Sequence, residues 1–241
     1  KLMLSIMKNL VKELTPTVSN SIVQKIILAT SGLVLIAFII FHLLGNLTIL
    51  GNTANVLNIY ASNLERLGIV HRILEFLLSI AFVVHIFYAI TIARNNSQAR
   101  AEPYYHHPNR IDNSSQPSIF SRSMLYTGPL LLLFIVVHLK TLMFGMGMSE
   151  GYVVEVDGRS IRDLERLIDE TFAQPLYVTF YVLMMIPLGF HLRHGIRSAG
   201  QSLGINLHND GLFDTVSLII AIGLSIGFAI IPTWLYWMGG N

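Results

Sequence analysis

The sequence predicts an all-α integral membrane protein with five transmembrane helices. Of its 241 residues 53% are hydrophobic and 12% are charged, and the mean hydropathy is +0.59, whereas soluble domains carry about 25% charged residues. Five apolar runs are long enough to cross a bilayer core of roughly 30 Å as helices. These observations exclude a soluble enzyme, and the net charge of +2 is too small to indicate a nucleic-acid partner.

The whole chain, 1–241, is expected to form one membrane domain. A basic arm occupies 1–25, and the spans are expected at about 26–50, 73–93, 124–147, 175–192 and 215–238. Within these spans the acidic and basic residues are Glu75 and Lys140. Lys140 could extend toward the membrane surface, and Glu75 could transfer protons or pair with Arg72.

The distribution of Lys and Arg predicts an N-terminus inside and a C-terminus outside. With that orientation the inner segments hold Lys1, Lys8, Lys12, Lys25, Arg94, Arg100, Arg110, Arg122, Arg193 and Arg197, and the outer segments hold Arg66, Arg72, Arg159, Arg162 and Arg166. Trp234, Tyr236 and Trp237 fit an aromatic belt at the outer boundary.

The sequence also predicts features of two loops. In the second outer loop, apolar residues recur at helical spacing and predict a short interfacial helix: Ile161, Leu164, Leu167, Ile168 and Phe172. We expect this loop to be a tether rather than a gate. The inner loop at 95–123 is rich in Pro, Asn, Ser and Arg, and it fits either a docking surface for a soluble partner or a solvated connector.

Histidine dominates the chemical inventory, because the chain has nine histidines and no cysteine. Four lie within the first four spans, one on each: His42, His85, His138 and His191. Ionisable residues at membrane depth usually mark a functional site, although a hydrogen-bonded structural histidine is an alternative for each one. The others outside the spans, His71, His106, His107 and His208, are expected to be solvated.

The depth of the four histidines sorts them into two layers. At about 1.5 Å per residue, His42 and His138 are displaced toward the outside and His85 and His191 toward the inside, which separates the layers by roughly 10 Å. Two histidines at one depth on separate helices are what a six-coordinate haem b requires. Two layers therefore predict two haems, and a histidine pair alone suits zinc less well.

An internal repeat supports this arrangement. Residues 31–43 and 127–139 share six of thirteen positions, including a glycine ten residues before the histidine. Ten residues span about 15 Å, which puts Gly32 and Gly128 near the inner layer. There they could admit the edge of the inner macrocycle, with the hydroxyls of Ser31 and Thr127 close by, or they could simply pack helices closely.

The fourth span continues into a basic stretch beyond His191. His194 lies one turn further on, and spacing alone does not decide which of the two would bind iron. Together with Arg193 and Arg197, His194 could pair with haem propionates. The arginines alone also satisfy the positive-inside rule.

Four segments, 31–47, 84–89, 126–138 and 189–204, resemble the dihaem cytochrome b subunit of succinate dehydrogenase and fumarate reductase, in its single-chain, five-helix b558-type form. The likeness runs from about residue 20 to the C-terminus. It is most specific at 189–204, GFHLRHGIRSAGQSLG. It implies a distal haem bound by His42 and His138 and a proximal haem bound by His85 and His191, which favours His191 over His194.

The resemblance also implies a flavoprotein and an iron–sulfur subunit docked on the inner face, over 95–123 and 193–212, in a bacterial cytoplasmic membrane. Electrons would pass between succinate or fumarate and a membrane quinone, with menaquinone favoured, and this chain would not bind the dicarboxylate. Gly189 stands two residues before His191, which argues against a proton route through a carboxylate there.

The quinone site is expected near Glu65 and Arg66, just before the second span, or at Asn46, one turn beyond His42. An exposed ion pair is the simpler interpretation of Glu65 and Arg66. Two other functions remain open. One is a membrane cytochrome of another quinone-linked dehydrogenase, and the other is a haem-free transporter that uses protonatable histidines.

Overall fold

The computed structural model describes residues 20–51, 53–101, 119–205 and 211–239. Its helices are α1 (Ser21–Asn46), α2 (Val56–Glu65), α3 (Ile69–Ala101), α4 (Ile119–His138), α5 (Leu164–Phe172), α6 (Pro175–Ser202) and α7 (Gly211–Gly239). Strands β1 (Val153–Val156) and β2 (Arg159–Arg162) form an antiparallel hairpin. Short 3-10 turns cover Leu47–Leu50 and Met148–Glu150, and a π turn, Leu139–Met143, extends α4.

Within the described residues five helices, α1, α3, α4, α6 and α7, are long and apolar enough to cross a membrane, which agrees with the expected helical, multi-pass architecture. Their outward faces carry large, exposed apolar side chains. Phe76 of α3, for example, is 65% exposed. Exposed apolar surface of this extent is unfavourable in water and is the ordinary condition of a helix that faces lipid.

The long helices pack around α6, which contacts α1, α4 and α7, while α3 packs on α1. The shared core contains Leu43, Leu131, Met185, Leu188, Leu192, Ala221, Leu224 and Ile231. Two glycines permit close approach to α7. A Cβ at Gly227 would stand 2.6 Å from Cδ2 of Leu43, and a Cβ at Gly189 would stand 2.9 Å from Oγ of Ser225. Small residues are the usual means of close helix packing in membranes.

Several helix ends differ from the predicted boundaries. α3 reaches Ala101 and α6 reaches Ser202, so the predicted loops at 95–123 and 193–212 begin as helix. α1 begins at Ser21, where the Asn20 side chain accepts the backbone N–H of Ile22 at 2.9 Å, and it therefore includes 21–25 of the predicted arm. The length of an apolar run indicates which part of a helix crosses the membrane, and polar residues can continue the same helix beyond the membrane.

Parts of three predictions lie outside the described residues. They are the basic arm at 1–19, the section of the inner loop at 102–118 that holds His106 and His107, and the segment at 206–210 that holds His208.

One end of the bundle carries a folded cap, which we define as residues 53–66 and 148–172. The predicted interfacial helix is α5, but Ile161 belongs to β2, where it pairs with Val154, so its assignment to the helix was wrong. α5 buries Ile168 and Phe172 against α2 and α6. The loop is thus a packed element at this end of the bundle.

Two helices of the cap satisfy each other's N-terminal N–H groups. Asn58 of α2 is 1% exposed, and its Oδ1 accepts the N–H groups of Leu164 and Glu165 at 2.8 and 2.9 Å. In return, the carboxylate of Glu165 accepts the N–H groups of Asn55 and Leu57 at 3.0 and 2.8 Å. The first N–H groups of a helix have no partner within it, so this exchange joins α2 to α5.

Replacing Asn58 with Ala should loosen the cap. The change leaves two buried N–H groups at the start of α5 without acceptors, and each such group costs about 1–3 kcal/mol. We expect a lower thermal midpoint in detergent and faster proteolysis within 148–172. Asn63→Ala is the control, because Asn63 lies on the exposed face of the same helix. Equal midpoints for the two variants would contradict the reciprocal capping.

Candidate functional site

The four histidines of the spans form two pairs inside the bundle. The ring centroids of His42 and His138 are 5.8 Å apart, with the ring planes at 88°. Those of His85 and His191 are 6.2 Å apart, at 64°. These are the pairs expected from the depth of each histidine. The α6 histidine whose ring faces His85 is thus His191.

Aromatic rings surround the His42–His138 pair. Phe38 stacks on His42 at 5.3 Å, and Phe228 lies 5.9 Å from the same ring. Phe134 stacks on His138 at 5.6 Å, and the ring of Tyr181 lies 6.0 Å from it. Rings of this kind fix the imidazole planes by packing and keep water away from them.

The His85–His191 pair has smaller and more polar neighbours. A Cβ at Gly32 would stand 3.2 Å from Cε1 of His85, so the glycine makes room for the imidazole. The Thr127 hydroxyl lies 3.3 Å from Nδ1 of His191. The Ser31 hydroxyl donates to the Leu28 carbonyl at 3.0 Å.

Each copy of the internal repeat contributes to both pairs. α1 provides His42 to one pair and packs Gly32 against the other, while α4 provides His138 to the first pair and Thr127 to the second. In each copy, the stretch of helix from the Ser/Thr-Gly dipeptide to the histidine therefore spans the distance between the two histidine pairs. Gly128 differs from Gly32, because no described atom lies within 4 Å of the place that a Cβ would take.

The geometry of both pairs suits axial ligation of a metal. Two imidazoles that bind one metal from opposite sides, with metal–nitrogen distances of about 2 Å, hold their ring centroids about 6 Å apart, and the observed separations are 5.8 and 6.2 Å. Nδ1 of His85 and of His138 is buried without a hydrogen-bond partner among the described residues. Buried polar atoms normally have a partner.

A pair of histidines fills only two coordination positions of a metal and leaves the others to different ligands. In the described part of the chain, no group of three or more His, Cys, Asp or Glu side chains converges as a metal-binding cluster, whereas tetrahedral zinc sites use three or four protein ligands. The iron of a haem would need only two ligands from the protein, which is the number that each histidine pair could supply. Haem b is thus the cofactor that the donor set could hold.

The candidate quinone residues lie at the cap end. Asn46 donates its amide to the His42 carbonyl at 2.7 Å, and Arg66 follows the last residue of α2. Glu65 lines a cavity of about 40 Å³ together with Asn58, Ser62 and Arg162. This cavity is far smaller than the roughly 300 Å³ at which small-molecule pockets begin.

Other predicted residues have different partners from those expected. Glu75 lies 3.6 Å from Nε2 of His71, so its partner is His71 rather than Arg72, and His71 is not simply solvated. Arg197 pairs with Asp214 of α7 at 3.0 Å. Arg193 and His194 lie on the same helical stretch, two and three residues beyond His191.

Sequence reasoning missed Tyr181, Phe134 and Phe228 as neighbours of the first histidine pair. All three are aromatic residues within apolar spans, where aromatic residues are common. Tyr181 and Phe228 lie on other helices than the histidines they contact, and such a spacing leaves no trace in the sequence. Phe134 stands four residues before His138 on the same helix, and that spacing could have been noticed. Thr127 was named for its position in the repeat, but its contact with His191 was not expected.

Comparisons with known proteins give no match. Neither a protein-family model, nor a curated protein, nor a solved structure resembles the chain closely enough to identify a family.

The two repeat glycines should respond differently to alanine. Alanine favours a helix over glycine by up to about 1 kcal/mol, so Gly128→Ala should keep or raise the thermal midpoint, because its Cβ meets no described atom. Gly32→Ala should not raise the thermal midpoint, because the His85 ring must move by a few tenths of an ångström to make room for the Cβ. The ring ¹⁵N resonances of His85 should shift only in Gly32→Ala. Equal effects of the two changes would contradict the contact between Gly32 and His85.

Proposed function

We propose that the chain is the membrane anchor and electron-transfer subunit of a succinate:quinone oxidoreductase. It would pass electrons between an iron–sulfur subunit and membrane quinone through two bis-histidine b haems. The observation that carries the proposal is the presence of two histidine pairs, with ring separations of 5.8 and 6.2 Å, on apolar helices. The segment at 189–204 then favours this class of complex over other quinone-linked cytochromes.

The four paired histidines and their neighbours would have the following roles. His42 and His138 would hold one haem, His85 and His191 would hold the other, and the haem would supply one-electron redox chemistry. The rings of Phe38, Phe134 and Phe228 exclude water around the first pair. At the second pair the Thr127 hydroxyl orients the His191 ring, as partners of ligand histidines commonly do.

The two ends of the bundle would serve different partners. The cap end, with Glu65, Arg66 and Asn46, would face outward and exchange protons with the quinone, which we expect to be menaquinone. The opposite end, with Arg193, His194 and Arg197, would face the cytoplasm of a bacterium. There the ends of α3 and α6 and the loops that follow them would receive the iron–sulfur subunit and its flavoprotein.

Purification of the tagged chain from the membranes of its host tests this assignment. We expect a flavoprotein and an iron–sulfur protein to co-purify, together with succinate-dependent quinone reduction or quinol-dependent fumarate reduction. Recovery of formate or hydrogen oxidation instead would identify another quinone-linked dehydrogenase. Recovery of a chain without haem would favour a transporter.

Replacing the two α6 histidines one at a time tests the ligand assignment. His191→Ala should remove one of two haems, because it leaves His85 without an axial partner, and His194→Ala should keep both. The measurement is the haem-to-protein ratio together with the reduced-minus-oxidised visible spectrum. Retention of both haems in His191→Ala would show that another residue holds the iron.

A further inference from the structure

Arg162 lies in the cap, at the end of β2, but its guanidinium binds the end of the third span. Its three nitrogens donate to four backbone carbonyls at 2.9 to 3.3 Å, those of Leu142, Met143, Gly145 and Met146. The last carbonyls of a helix have no partner within it. A planar guanidinium with five N–H donors can satisfy several of them at once, and a lysine cannot.

The carbonyls that Arg162 binds lie four to eight residues beyond His138. α4 ends at His138 and continues as the π turn Leu139–Met143, where the N–H of Phe144 donates to the Leu139 carbonyl at 2.8 Å. A π turn inserts one extra residue per turn, and such turns are frequent at functional sites. The last turn that carries His138 is therefore not continued by ordinary α-helical bonds, and its geometry depends on what holds the π turn.

α5 supports the same segment from its other side. A Cβ at Gly145 would stand 3.1 Å from Cδ2 of Leu167 and would collide with the carbonyl of Thr141. Gly145 thus allows α5 to lie directly against the turn. Further along α5, Phe172 packs edge-to-face on Tyr181 at 5.0 Å, and the ring of Tyr181 lies 6.0 Å from that of His138. Two sets of contacts therefore connect the cap to His138. One is the set of Arg162 hydrogen bonds, and the other is the packing of Phe172 on Tyr181.

We propose that Arg162 is a positioning residue for the His42–His138 pair. By holding two carbonyls of the π turn and two just beyond it, Arg162 fixes the end of α4 and hence the plane of the His138 imidazole. The inference rests on the proposed function for its haem consequences, while its structural part concerns the chain alone. Among the described residues, the His85–His191 pair has no hydrogen bond, ion pair or ring contact with the cap, so it provides an internal control within the same molecule.

The first arm of the test does not require haem. Hydrogen–deuterium exchange is measured on the peptide that covers 139–147 in wild type, Arg162→Ala and Arg162→Lys. Loss of a hydrogen bond to a charged group costs about 1.5–3 kcal/mol, or roughly 10- to 100-fold in the rate of opening. We expect at least a tenfold rise in Arg162→Ala and a partial rise in Arg162→Lys. An unchanged rate would overturn the proposal.

The second arm measures the two haems separately. The low-spin ferric EPR signal of a bis-histidine haem depends on the angle between its imidazole planes, and redox titration gives the midpoint potential of each haem. We expect Arg162→Ala to shift the signal and potential of the His42–His138 haem, or to lose that haem, while the other haem is unchanged. Equal changes at both haems, or a change at neither, would show that Arg162 only stabilises the fold.

Arg166→Ala is the matched control. Arg166 lies in the same cap, donates to Glu170 at 2.8 Å and stacks on the Tyr152 ring at 4.6 Å. Hydrogen bonds from Tyr152 and Arg166 hold the pKa of Glu170 below its usual value. Arg166→Ala should leave exchange at 139–147 and both haem signals as in wild type. A chain without haem would defeat the proposed function, and the exchange arm would then decide the role of Arg162 by itself.

Discussion

An imidazole ring buried among apolar helices must have its nitrogens satisfied, and the rest of this structure depends on that constraint. Burial without a partner is costly for a hydroxyl or amide, and the same holds for a ring nitrogen in a membrane. Four such rings lie within the bundle, arranged as two facing pairs, and two of them carry a buried nitrogen without a hydrogen-bond partner among the described residues. In the function proposed above, a metal between the rings of each pair would supply the missing partner for such nitrogens.

The two pairs are coupled through α1 and α4 but lie in different surroundings. The repeat places a histidine of each helix in one pair and a small residue of the same helix beside the other pair, so neither helix can slide without disturbing both. Aromatic rings pack around one pair, and a glycine and a hydroxyl lie beside the other. Since surrounding polarity and hydrogen bonding tune a haem, the two centres would differ in redox behaviour.

The spans and histidine pairs could be predicted from the sequence because both follow from periodic, local quantities: the length of an apolar run and the rise of a helix. The cap could not. α2 is only ten residues long and half apolar, and its anchoring by Glu165 joins positions more than 100 residues apart. One local signal was overlooked. Asp157-Gly158, both at positive φ, forms the tight turn of the hairpin, and Asp-Gly between apolar residues is a strong hairpin marker. The role of Arg162 is equally non-local, since a basic residue in a loop looks the same whether it is solvated or holds a helix end.

The most direct test of the central claim is the amount of haem b in the purified full-length chain, measured as the pyridine haemochromogen against protein mass from quantitative amino-acid analysis. Two histidine pairs that each hold one iron predict two haem b per chain. A ratio of one would mean that only one pair is a ligand set, and the absence of haem would mean that the paired histidines serve another purpose.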